Sequence, residues 1–316
     1  RNAMTLPSMT PEQFAQALSH PPKAYSVMVK DVRIQYRRWP KPHAPGVLLV
    51  HGHAAHARWW DHIGPSLHHQ FDVSAIDLSG AGDSAHRTTY SSRLFAEEMM
   101  AVTHHAGYAS PIIIAHSFGG TLARVACYLN PHWAQQLILM DSVIPSSPPA
   151  GPRNSKEVKG PTKPARQTQR PERVYPTRLI AMKRFRLTPR QPLTHPHILT
   201  HIAHHSFRES EAGFVFKFDR GVFNKMMPAS DLPTGSEMMA SLQTKTSLVI
   251  GRKSVFFDPE TPVGERNLST ATKQLANHDV KIIDDAGHHL MIDQPLSTIE
   301  TLLTLTAGSA EGPDQR

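Results

Sequence analysis

A single cysteine, Cys127, stands in the 316 residues. No disulfide can form within the chain, so the fold has to rest on its core. A lone thiol fits a reducing compartment, and the cytoplasm is the expected location. Long apolar runs are missing too: none approaches the roughly 18 residues that a bilayer span needs. No basic-then-apolar leader is visible, so a soluble protein without stable membrane insertion is expected. Arg1, Asn2 and Ala3, ahead of Met4, read as a cloning remnant outside the fold.

Acidic residues are outnumbered, 26 Asp and Glu against 34 Lys and Arg, for a net charge of +8. That excess is local. Between Gly151 and Arg190 there are 12 Lys or Arg against 2 Glu, which leaves the remainder of the chain slightly acidic. The stretch from Pro145 to Pro171 is rich in proline and poor in large apolar side chains, the composition of a solvated linker. It lacks interleaved aromatics and any nucleic-acid-binding motif, so no nucleic-acid partner is expected.

What the chain does have is alternation. Ser26–Lys30 and Arg33–Trp39 read as a hairpin. Val47–Val50 is a continuous apolar run of the kind buried on both faces of a parallel sheet. Helices then alternate with strands: helix 58–69, strand 73–78, helix 92–105, strand 111–115, helix 118–129 and strand 136–140. The alternation breaks at Pro145. Two helices, near 173–186 and 197–207, and the aromatic cluster Phe214, Phe216, Phe218 and Phe223 follow. It then resumes with strand 247–251, helix 267–277, strand 280–283 and helix 296–305. This order predicts an α/β fold with a doubly wound, mostly parallel eight-stranded sheet. A core domain over 4–144 and 232–308 would be interrupted by a basic, mainly helical cap over 145–231, with 309–316 a disordered tail.

In such a sheet, chemistry collects where strands end at their carboxyl side. The run Ile113-Ile114-Ala115-His116 ends in Ser117, and Phe118-Gly119-Gly120 opens a helix. A serine on so tight a turn projects its hydroxyl above the sheet, with amide hydrogens of the new helix converging on an incoming carbonyl oxygen. Ala115 and Gly119 supply the small side chains that the close approach of strand and helix demands. Other strand ends carry His51-Gly52-His53, Asp141, the loop Arg252–Glu260 and Gly287-His288-His289. A nucleophile, an acid and an imidazole thus follow one another in chain order.

Taken together, these motifs resemble the α/β-hydrolase superfamily with a cap domain. Val50-His51-Gly52-His53 matches the oxyanion loop, Asp77-Leu78-Ser79-Gly80-Ala81-Gly82-Asp83-Ser84 resembles the motif after the fourth strand, and Ala115–Gly119 matches the nucleophile elbow. Asp285-Ala286-Gly287-His288, followed by Asp293-Gln294-Pro295, matches the region of the family's histidine. The resemblance implies Ser117 as nucleophile, His288 as its base and backbone N–H groups of His53 and Phe118 as the oxyanion hole. The family's commonest acid position falls on Ser254, which cannot carry the charge that steadies an imidazolium. Asp141 is favoured as acid and Asp258 is the alternative, with a water-oriented Ser–His pair as the third outcome.

The implied activity is hydrolysis of a carboxylic ester or a related acyl bond (thioester, lactone or amide) in a small, apolar acyl substrate, as in carboxylesterases and lipases. Cleavage of activated C–C bonds, or a non-catalytic relative that binds a small ligand, are the alternatives. Halide displacement and epoxide opening are disfavoured because their covalent ester needs an Asp where Ser117 stands. Trp59, Trp60, Phe118, Val143 and aromatics of the insertion are candidates for the acyl pocket. No cofactor or metal is expected: the run His51-x-His53-x-x-His56 superficially resembles a metallo-β-lactamase ligand set, but Ala55 stands where that set needs Asp.

Overall fold

The computed structural model describes residues 7–146, 171–275 and 280–310. Pro11–Leu18 (α1) comes first, followed by the strands Lys23–Val29 (β1) and Val32–Trp39 (β2). β1 and β2 pair antiparallel through a turn in which Lys30 and Asp31 both have positive φ, the backbone twist that two-residue hairpins favour. Then come Gly46–Val50 (β3), a 3₁₀ turn at Ala57–Trp60, Gly64–His68 (α2), Asp72–Ile76 (β4) and Ser92–His105 (α3). Ile112–His116 (β5), Phe118–Leu129 (α4) and Gln136–Met140 (β6) complete the first half.

The insertion holds Val174–Tyr175 (β7), Arg178–Arg184 (α5), Pro196–His204 (α6), Phe207–Ser210 (β8) and Gly213–Phe216 (β9). The chain closes with Gly235–Ser241 (α7), Lys245–Gly251 (β10), Pro262–Gln274 (α8), Val280–Ile283 (β11), Leu290–Asp293 (α9) and Pro295–Thr306 (α10).

Eight strands form one sheet in the order β1-β2-β4-β3-β5-β6-β10-β11. Only the β1–β2 and β2–β4 pairs are antiparallel. β4 and β5 leave β3 in opposite directions, so the loops after β3 and β5 sit side by side where the strand order reverses, the usual place for a binding crevice. Alternate residues of the central strands feed two cores. Leu49, Ile112, Ile114, Ile138 and Val249 face one, while Leu48, Val50, Ile113, Leu137 and Leu248 face the other. Cores on both faces bury β3, β5 and β6 along their whole length, and these strands are apolar apart from His116 and Gln136 at strand ends.

Four local features differ from the sequence reading. The helix expected over 58–69 is broken into a 3₁₀ turn and α2, because Gly64-Pro65 restarts the chain under Trp39; a Cβ at Gly64 would lie 2.4 Å from that ring. α8 begins at Pro262 rather than 267, since proline suits the first turn of a helix and Thr261 caps it. α1 has a sequence signature that went unread, the capping box Thr10–Gln13, and it buries only Phe14. The described part of the insertion also holds strands that the sequence reading lacks: β7, β9 and β8 form a three-stranded antiparallel sheet beside α5 and α6, with Phe214 and Phe216 on β9. Strands of two to four residues leave too little alternation to read.

Residues 1–3, most of the proline-rich stretch 145–171 and residues 311–316 of the expected tail lie outside the described residues, while Ala307–Ser309 closes a 3₁₀ turn. Among the described residues no helix is long and apolar enough to cross a membrane.

Burial holds several imidazoles neutral. His51 and His62 are pushed down to about 4, His289 to about 3, and His56 and His116 well below the ordinary range. In the unfolded chain each takes a proton near pH 6.5, so acid favours unfolding as pH drops below that value. Buried carboxyls act the other way, with Asp77, raised to about 6, placed to matter most in that window. The imidazoles outnumber it. Denaturant titrations at pH 7 and pH 5 are expected to show a loss of about 2 kcal/mol or more at pH 5; equal or greater stability at pH 5 would contradict this balance.

Candidate active site

Ser117 sits between β5 and α4 with φ 54° and ψ −122°, a conformation that a non-glycine residue adopts only under constraint. The constraint is visible. Ser117 donates its amide to Met140 O at 2.9 Å, and its carbonyl accepts from Gly120 N at 2.9 Å and Ser142 Oγ at 2.8 Å. Gly119 is indispensable to the crossing: a Cβ there would lie 2.2 Å from the backbone oxygen of His51. No rotamer change relieves a clash with backbone.

His288 lies after β11, on a loop fixed from two sides. Asp293 Oδ2 accepts the Gly287 amide at 2.6 Å, and Gln191 Oε1, from the insertion, accepts the His289 amide at 3.1 Å. His288 Nδ1 donates to Asp141 Oδ1 at 2.7 Å. A carboxylate only accepts, so the proton belongs on Nδ1 and Nε2 is left with its lone pair. His288 and Ser117 both line a cavity of about 220 Å³.

Asp141 follows β6 with φ 46° and is fully enclosed. Besides His288 it accepts the Gly251 amide on Oδ2 at 2.8 Å and the Ser254 hydroxyl on Oδ1 at 2.5 Å. Burial pushes its carboxyl above the usual range, and these three donors counter that. Asp258 forms no hydrogen bond or ion pair with His288; its side chain accepts the Glu260 amide at 2.9 Å and its carbonyl accepts from Thr261, closing its own loop ahead of α8. Ser254 therefore occupies the family's commonest acid position as a donor to the carboxylate that stands elsewhere. That role was not read from the sequence, and neither were those of Asp293 and Gln191. Asp293 had a signal, its place in the motif after His288; Gln191 had none.

The amides of His53 and Phe118 have no partner among the described residues, and both residues line the cavity. The His53 ring stacks on Phe223 at 4.4 Å and meets Phe218 edge-on at 4.8 Å, which fixes the loop after β3. Of the apolar pocket candidates, Trp59 and Phe118 line the cavity, whereas Trp60 is wholly buried in the core and Val143 packs in the second core. The conspicuous motif from Asp77 to Ser84 is structural: Asp77 accepts the amides of Ala57 at 2.7 Å and Asp83 at 3.0 Å.

The histidine run 51, 53, 56 does not converge. His51 Nε2 accepts the Leu78 amide at 3.1 Å while its Nδ1 donates to Gly52 O, and His56 pairs with Ser206. The imidazoles that do come together, among the described residues, are His116, His288 and His289, each offering a nitrogen within 4.8 Å of the others. They are the set that could hold a metal ion, although the Nε2 groups of His116 and His289 are engaged by the carbonyls of His288 and Pro189.

A family model described as alpha/beta hydrolase fold matches residues 45–295. The chain is 33% identical over 98 residues to a soluble epoxide hydrolase of Corynebacterium sp. (strain C12), covering 31% of this chain and 34% of that protein. It is 24% identical over 288 residues to a serine hydrolase-like protein of Danio rerio, covering 88% of this chain and 85% of that one. Among solved structures, a thioesterase domain from the curacin biosynthetic pathway superposes with a TM-score of 0.70 at 20% identity, over 89% of this chain and 99% of the domain.

Two substitutions separate the contributions of this site. Gly119→Ala is expected to cost about 1–3 kcal/mol of stability and most hydrolytic activity, because the added methyl has nowhere to go. Ser254→Ala, which leaves Asp141 its bonds to His288 and Gly251, should reduce turnover far less than Asp141→Asn. Equal losses from those two would show that the carboxylate depends wholly on the hydroxyl.

Proposed function

For a chain that belongs to the α/β-hydrolase fold family, we propose a serine hydrolase that cleaves a carboxylic ester or a related acyl bond through an acyl-enzyme on Ser117. The observation that carries this reading is the 2.7 Å bond from His288 Nδ1 to Asp141, which leaves Nε2 free to accept a proton in the cavity that Ser117 also lines. His288 Nε2 takes the Ser117 hydroxyl proton as Oγ bonds to the acyl carbon, and Asp141 balances the imidazolium that forms. The oxygen of the tetrahedral intermediate is held by the unpartnered amides of His53 and Phe118. Collapse of the intermediate breaks the bond to the leaving group, which departs with the proton from His288. Water then repeats the sequence, losing a proton to Nε2 and releasing the acid and free Ser117.

Kinship with an epoxide hydrolase does not favour epoxide opening here. A covalent ester formed on a carboxylate needs that carboxylate at the elbow, and position 117 is serine. Asp141 behind His288 also supports catalysis over ligand binding alone, since a mere binding pocket has no use for a buried carboxylate on an imidazole.

A fluorophosphonate should label the wild-type chain and spare Ser117→Ala. Asp141→Asn should lower turnover of a para-nitrophenyl ester by about 10³ to 10⁴, while Asp258→Asn stays close to wild type. Well-folded wild-type protein that takes no label would overturn the serine mechanism, and the reverse ranking of the two Asp variants would move the acid to Asp258.

A further inference from the structure

A second cavity, of about 280 Å³, adjoins the first and shares His53, Trp59 and Thr188 with it. Its walls are apolar where Phe185, Leu187 and Phe216 face it, yet it also carries three guanidinium groups, Arg184, Arg186 and Arg220, and, among the described residues, no carboxylate. Elsewhere in the molecule Arg38 is paired with Asp72 and Arg87 with Glu98, while buried Arg124 has no carboxylate partner among the described residues; the three chamber arginines are exposed. None of the three chamber arginines pairs with a carboxylate among the described residues. Two of them are nevertheless held in place by uncharged groups. Arg186 donates Nη1 to the carbonyls of Lys183 and Phe185, both at 2.7 Å, and the Arg220 guanidinium lies 5.2 Å from the centre of the Phe216 ring. Positive charges that are positioned in advance but left unpaired favour an anion brought in by a ligand, because little ordering remains to be done on binding.

We propose that this chamber receives the anionic end of an acyl substrate, a carboxylate or phosphate separated from the scissile acyl bond by an apolar chain. The inference rests on the serine-hydrolase reading of the adjoining cavity and narrows its substrate class. An ordinary neutral ester would fill the apolar walls and leave three arginines facing it without a partner. An anionic amphiphile satisfies both surfaces. Guanidinium recognises either anion in forked geometry, so the geometry sets the charge of the group and its distance rather than its element.

The anion can belong to the acyl part or to the leaving group, and two substrate pairs distinguish these. The first compares mono-para-nitrophenyl esters of dicarboxylic acids, from succinate to sebacate, with neutral para-nitrophenyl esters of the same chain length. The second compares the octanoyl thioester of mercaptopropionate with that of mercaptopropanol. In at least one pair the anionic member should have a kcat/KM about tenfold higher. The ratio should fall towards one in Arg184→Gln/Arg220→Gln and in high salt, which screens partly exposed charges. Ratios near one throughout the series, in protein whose Ser117 takes a fluorophosphonate, would overturn the anionic substrate and leave the serine mechanism intact. Calorimetric binding of monomethyl suberate against methyl octanoate to Ser117→Ala tests the chamber without turnover. Preferential binding of the suberate, with a wild-type chain that takes no label, would keep the chamber and discard the mechanism; no preference, together with ratios near one in both substrate pairs, would discard the chamber.

Discussion

The carboxylate of Asp141 is the constraint on which the site depends. It is buried at the end of β6 and accepts from the Gly251 amide at the end of β10, the Ser254 hydroxyl just beyond it and the His288 imidazole after β11. Three neighbouring strand ends are therefore tied to one side chain. Burying a charge is costly unless it is paired and hydrogen-bonded, and here every contact is a donor aimed at it. The same bond that satisfies the carboxylate sets which nitrogen of His288 carries the proton. Fold and chemistry meet in that single contact.

Much of this was legible in the chain. The apolar runs 47–50, 111–115 and 136–140 mark strands covered on both faces, and the helices at 92–105 and 118–129 fall where the periodicity puts them. The serine at an elbow, the imidazole after the final strand and an acid after β6 were each readable as residues at strand ends. Their meeting was not, because it depends on the strand order β3-β5-β6-β10-β11, which sequence spacing constrains but does not state. The choice between Asp141 and Asp258 shows the limit. Both follow strands, and Asp258 caps its own loop whereas Asp141 bonds to His288. Ser254 is hard to read for a related reason: in the sequence it stands as a missing acid, whereas its hydroxyl donates to Asp141.

The insertion was the least legible region, and the physical cause is its short elements. Two-to-four-residue strands and helices of seven and nine residues carry little periodic signal, and their stability comes from packing against the core. Yet this region contributes Thr188 and Pro189 to the cavity that Ser117 lines, Gln191 to the histidine loop and three arginines to the neighbouring chamber. Of the charge excess that composition confines to the segment from 151 to 190, Arg184 and Arg186 line that chamber, and the proposal gives them an anionic ligand group to face. The proposed function assigns the reaction to the core and the choice of substrate to the cap.

The account's central claim is that Ser117, His288 and the amides of His53 and Phe118 surround one reacting carbon with Asp141 behind the imidazole. A crystal structure of the chain carrying a diethyl phosphoryl group tests it most directly. The account predicts a covalent bond from Ser117 Oγ to phosphorus, the phosphoryl oxygen within hydrogen-bond distance of the His53 and Phe118 amides, and His288 still bonded to Asp141. A phosphoryl group on another residue, or an oxygen that faces away from both amides, would contradict it.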